Sequence, residues 1–113
     1  MSTRVEKNLP FLRELDENKS WSARERILDR ATNDELFTFI DICINILDLR
    51  FPLTAKERRR LRKYASYIRD IAKRKSTKYT KEMLQVGGNP FISALLGPVL
   101  AAVTQHLLTT NNG

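Results

Sequence analysis

"TNDELFTFIDICINILDL", Thr32 to Leu49, has the pattern of a helix that nothing but protein can surround. Thr32-x-x-Glu35 fits a capping box, in which the threonine hydroxyl accepts from the third backbone N–H and the glutamate reaches back to the cap. Behind the box stand Leu36, Phe37, Phe39, Ile40, Ile42, Ile44, Ile46 and Leu47, apolar over most of the circumference. A helix apolar nearly all round has to be covered on several sides. The stretch therefore predicts the central helix of a core, about Asn33 to Leu49. Pro52 is expected to end it, because the residue before a proline is pushed out of the helical region.

Two more boxes flank this segment. Upstream, Ser22-x-x-Glu25 predicts a helix over Ala23 to Ala31, with Trp21 anchored beneath its cap. Before it, "LPFLREL" suits a short helical turn that turns Leu9, Leu12 and Leu15 inward. Downstream, Thr54-x-x-Glu57 opens "AKERRRLRKYASYIRDIAKRK". At 100° per residue, Leu61, Tyr64, Ala65, Ile68, Ile71 and Ala72 fall within an arc of about 120°. Arg58, Arg59, Arg62, Lys63, Arg69, Lys73 and Arg74 fall outside that arc. One continuous helix over 54–75 would hold them along a rod of ~33 Å.

After Ser76, "STKYTKEMLQV" suits a short fourth helix carrying Tyr79, Met83 and Leu84. Gly87-Gly88-Asn89-Pro90 reads as a break. "FISALLGPVLAAVTQHLLTT" then follows, apolar and interrupted by Gly97-Pro98. The expected fold is all-α: a small bundle of three to four helices with a basic amphipathic helix and an apolar C-terminal helix or tail. Residues 1–86 are expected to form the helical, DNA-binding domain, and residues 87–113 a Gly-Gly hinge with the apolar segment.

The charge is unevenly placed. Residues 1–53 hold eight basic and ten acidic residues, and residues 54–82 hold twelve basic and three acidic. Residues 83–113 hold no Asp, Glu, Lys or Arg. Such asymmetry points to a polyanion or an anionic surface. Chemistry is sparse by contrast. Cys43, the single cysteine, excludes an internal disulfide and reads as a buried thiol in a reducing, intracellular setting. The N-terminal decapeptide lacks the apolar core of a secretory signal. His106 stands alone in the apolar tail, without the partners a metal would need. With no phosphate-cradling glycine loop, no catalytic triad order and no HExxH, neither an enzyme nor a cofactor is expected.

The residues expected to meet phosphates are Lys56, Arg58, Arg59, Arg62, Lys63, Arg69, Lys73, Arg74 and Lys75. A single-signed face is costly for mere solvation, because like charges repel. Arginine's planar fork suits phosphate oxygens. No base-reading module accompanies it, so the expected partner is double-stranded DNA bound with little sequence preference. Two readings of other classes stay open. One is an adaptor whose basic face meets an acidic protein. The other is a membrane-active protein that uses residues 89–108, steered to anionic lipid by the basic helix. The apolar tail is also a candidate contact for a homo-oligomer.

Read together, "ERILDRATNDELFTFIDICINIL", "PLTAKERRRLRKYASYIRDIA" and "GGNPFISALLGPVLAAV" resemble a family of small basic proteins encoded by Polinton (Maverick) elements and adintovirus-like genomes. The resemblance spans roughly residues 9–103. The last third is also similar to an adenovirus minor core protein, in which a basic region runs into Gly-Gly and an apolar tail. The resemblance implies a viral protein of the virion core, located in virion and host nucleus, that binds packaged DNA and meets capsid proteins. It further implies processing at Gly87-Gly88 by an adenovirus-type protease. That protease's pattern has an apolar residue where this chain has Gln85.

Overall fold

The computed structural model describes residues 3–112, and the side chains of residues 3–108 among them. All regular structure in that span is helical, in seven helices rather than three or four. They are α1 (Thr3–Lys7), α2 (Leu9–Glu17), α3 (Trp21–Asp29), α4 (Asn33–Leu47), α5 (Ala55–Arg62), α6 (Ala65–Arg74) and α7 (Thr77–Asn112).

α4 is the central element. Phe39, Ile40, Ile42 and Cys43 are buried in it, and its largest contacts are with α6 and α7. The Thr32 box forms as expected, with Glu35 N donating to Thr32 Oγ1 at 3.1 Å and Thr32 N donating to Glu35 Oε1 at 2.9 Å. The helix ends at Leu47, ahead of Pro52. Leu49 takes a left-handed φ of 59°, while Arg50 N donates back to Asn45 O at 2.8 Å and Leu49 N to Ile46 O at 3.1 Å. This is a Schellman ending, which satisfies carbonyls that a helix terminus leaves open.

The Thr54 box also forms, with both of its hydrogen bonds. The Ser22 box does not. α3 starts at Trp21, after the extended Ser20, and the Ser22 hydroxyl lies 3.1 Å from that of Ser20 instead. Half-buried Trp21 packs against the core, and the helix begins two residues earlier than a Ser22 cap allows.

The basic segment is not one rod. α5 stops at Arg62 and α6 starts at Ala65, with Lys63 and Tyr64 in a turn between them. No proline or glycine marks this break. Tyr64 instead sits 5.1 Å from the Phe91 ring and 6.2 Å from that of Tyr67, an aromatic cluster that turns the chain where it meets α7. The apolar arc still holds within each piece. Leu61, Ile68, Ile71 and Ala72 are buried.

α7 carries the apolar tail into the core. Phe91, Ile92, Ala94, Leu95, Leu96, Val99 and Val103 are buried, and α7 touches α2, α3, α4, α5 and α6. The core cluster thus draws on residues from both sides of Gly87-Gly88. The radius of gyration, 13.2 Å, matches the roughly 13 Å of a compact chain this long. Inside α7 only Gly88 leaves helical geometry, at φ 65° and ψ −160°. The helix passes through Gly97-Pro98 without breaking there.

Candidate nucleic-acid interface

Every cation between Lys56 and Lys75 is exposed. On α5 and its C-cap residue Lys63, which keeps helical φ/ψ, Lys56, Arg59, Arg60 and Lys63 follow at intervals of three and four, which puts them on one face. They alone line an open notch of about 370 Å³. Arg58 and Arg62 lie round the helix and border a separate, apolar groove. Arg69 and Lys73 share a face of α6, beyond the turn. Lys75 closes α6 in a left-handed conformation, φ 53°. The nine expected residues therefore do not form one line: a first patch, Lys56, Arg59 and Lys63, lines the notch, Arg58 and Arg62 face the groove, and Arg69, Lys73, Arg74 and Lys75 lie on α6 or at its end. Arg60 belongs with the first patch although sequence reading left it out. Its angular place beside Lys56 and Lys63 was the available signal.

The pairing of these groups sets the region apart. Elsewhere, among the described residues, five of the ten lysines and arginines find carboxylates: Arg4 reaches Asp34 and Asp41, each at 3.1 Å, Lys81 reaches Asp29 at 3.3 Å, and Lys7, Lys19 and Arg50 also pair, whereas Arg13, Arg24, Arg26, Arg30 and Lys78 do not. Among the described residues, no cation from Lys56 to Lys75 has an ion pair within 4.0 Å. The two acids within that span are committed elsewhere. Glu57 closes the Thr54 cap, and Asp70 accepts from the Tyr79 hydroxyl at 3.2 Å. Burial, then the Asp70 charge, pushes the Tyr79 phenol up, so it stays a neutral donor. Arg74 lies 4.3 Å over the Tyr79 ring, which fixes its stem while leaving the guanidinium edge in solvent.

One arginine behaves differently. Arg24 is fully buried, and no sequence pattern around it singles it out. Its Nε donates to Leu15 O at 2.9 Å and its Nη2 to Asp16 O at 3.2 Å, capping the last turn of α2. Its Nη1 donates to Asn89 Oδ1 at 3.0 Å and to Ser93 Oγ at 3.2 Å. Burial pulls the Arg24 pKa down and Asp16 opposes that, while guanidinium keeps its proton in any protein setting. Gly87 and Gly88, the expected processing site, lie beside this clamp. A β-carbon on Gly87 would stand 2.7 Å from Phe91 Cβ, so Gly87 is pressed against Phe91, whereas Gly88 has only Pro90 Cδ at 3.8 Å near such a carbon.

Cys43 is fully buried, and burial pushes its thiol far up, which makes it an inert packing group. His106 Nε2 lies 3.6 Å from Glu6 Oε1, across the α1–α7 contact. Comparison with family models, with curated proteins and with solved structures finds no match to this chain.

Proposed function

We propose that this chain is a non-enzymatic, weakly sequence-selective binder of double-stranded DNA, acting as a virion-core or genome-packaging protein. The observation that carries this reading is the run of exposed cations from Lys56 to Lys75 with no carboxylate partner among the described residues. Leaving like charges unpaired on two adjacent helices destabilises a free domain. A polyanion relieves that repulsion and releases its own counterions on binding. Lys56, Arg59 and Arg62 on α5, Lys63 at its end, and Arg69 and Lys73 on α6 contact successive phosphates. No side chain is assigned to base edges, so affinity is shared among sequences.

The resemblance to Polinton and adintovirus core proteins supports the virion setting and adds capsid proteins as neighbours. The membrane reading has less support, because it needs residues 89–108 free. The long apolar helix meets the length and hydropathy of a span, but Phe91, Leu95 and Val99 supply the domain's own core.

Fluorescence anisotropy with three unrelated duplexes of equal length tests the proposal. Affinities that agree within about threefold and fall together as salt rises are expected. A strong preference for one duplex, or no binding at low salt, contradicts it.

A further inference from the structure

On the side of α5 away from the four-cation notch, an apolar groove of about 250 Å³ opens between α4, the α4–α5 loop, α5 and α6. Ile46, Leu49, Leu53 and Leu61 line it, and Arg58 and Arg62 border it. It is smaller than the roughly 300–1,000 Å³ of small-molecule pockets, and suits one or two inserted side chains.

Two features separate this groove from ordinary surface. Leu49 is 69% exposed and Leu47 44% exposed, side by side at its lip. Leu49 also holds a left-handed φ of 59°. Glycine adopts that conformation without steric penalty and is the usual residue there. A leucine at that place gives up stability and buries little in return. Arg58 and Arg62 then supply two cations with no carboxylate partner, Arg58 Nε making only a long 3.4 Å bond to Leu53 O.

We propose that this groove docks an acidic amphipathic segment of a partner protein. An apolar side chain of the segment inserts between Leu49, Leu53 and Ile46, while flanking carboxylates pair with Arg58 and Arg62. The charge complementarity decides for an acidic peptide over a neutral one. Fork-shaped guanidinium groups beside an apolar floor recognise a carboxylate next to a leucine or phenylalanine. Docking stands apart from the DNA reading, because Leu47, Leu49 and Leu53 serve no phosphate. It also links to that reading, since Arg58 and Arg62 cannot meet a carboxylate and a phosphate at once. The partner therefore weakens DNA binding when seated.

The test uses a fluorescein-labelled helical peptide with Leu or Phe at every third or fourth position and Asp or Glu between. Two controls accompany it: the same peptide with Lys for each acid, and one with Ser for each apolar residue. The acidic amphipathic peptide binds saturably, and both controls bind at least about tenfold more weakly. Leu49→Gly, compatible with the local φ, lowers peptide affinity about tenfold while leaving duplex affinity unchanged and the urea midpoint equal or higher. Unchanged peptide affinity in Leu49→Gly, or equal binding of the Ser control, overturns the proposal and leaves only charge attraction. Concentration-dependent dimerisation abolished by Leu49→Gly also overturns it, in favour of a second copy as the occupant.

Discussion

Arg24 Nη1 donates to Asn89 Oδ1 at 3.0 Å, and Asn89 Nδ2 donates to Lys19 O at 2.8 Å, across 65 and 70 positions of chain. Together the two side chains join the end of α2, the α2–α3 turn and the kink of α7. The tail that follows the kink supplies Phe91, Leu95 and Val99 to the core, so this join governs how the apolar half of the chain is seated.

Arg24→Ala removes the donors to the Leu15 and Asp16 carbonyls and leaves Asn89 half paired. Losing a buried, hydrogen-bonded charge of this kind is expected to cost about 3–5 kcal/mol in urea unfolding. Arg24→Lys keeps the charge without the planar fork, and recovers less than half of that loss. A midpoint unchanged by either substitution would mean the clamp does not form.

The glycines of α7 separate by their surroundings. Gly88→Ala forces a β-carbon onto φ 65°, ψ −160°, a region open almost only to glycine, at a cost of about 1–3 kcal/mol. Gly87→Ala meets Phe91 and costs a similar ~1–3 kcal/mol through overpacking. Gly97→Ala enters open space in a helix interior and raises stability by about 0.5–1 kcal/mol. Thermal unfolding of the three variants checks the order, and a destabilised Gly97→Ala contradicts it.

Caps provide a second ordering. Thr32→Ala and Thr54→Ala each lose a formed capping box and about 1 kcal/mol. Ser22→Ala, inside α3, changes stability by less than about 0.5 kcal/mol. Equal losses at all three threonine and serine positions would restore the Ser22 cap.

Acid sensitivity follows from Asp34. It accepts from Asn8 Nδ2 at 3.1 Å and pairs with Arg4 and Lys7, and these contacts, the Asn8 bond foremost, hold its pKa below the ordinary carboxylate value. A folded pKa below the unfolded one adds stability above the unfolded pKa, and that stability is lost as pH falls through the folded value. Stability is expected to decline below about pH 4, and Asp34→Asn to flatten that part of the decline. An identical acid profile in wild type and Asp34→Asn contradicts the assignment.

What the sequence made legible is local. The boxes at Thr32 and Thr54, the apolar belt of α4, the inward Leu9, Leu12 and Leu15, and the basic face of each helix all depend on residues a few positions apart. What it hid depends on distant partners. α1 is only five residues long, with little periodicity to read, and is held by Arg4 to Asp34 and Asp41 and by the buried Val5. The break at Lys63–Tyr64 comes from Phe91, and the burial of Arg24 from Asn89. Gly87-Gly88-Asn89-Pro90 announced a break, but the packing that holds it in place lies elsewhere in the chain.

The most direct measurement is the salt dependence of duplex DNA affinity for wild type and for Arg59→Gln, Arg62→Gln and Arg69→Gln combined. All three residues are exposed, and each exposed substitution is expected to change stability by no more than about 0.5 kcal/mol. If about five phosphates are neutralised, log K falls with log salt at a slope near −4.5 in wild type. With three contacts removed the slope becomes about −2, with affinity lowered by a similar factor on every duplex. A triple variant that stays folded and keeps the wild-type affinity and slope contradicts phosphate binding by these helices.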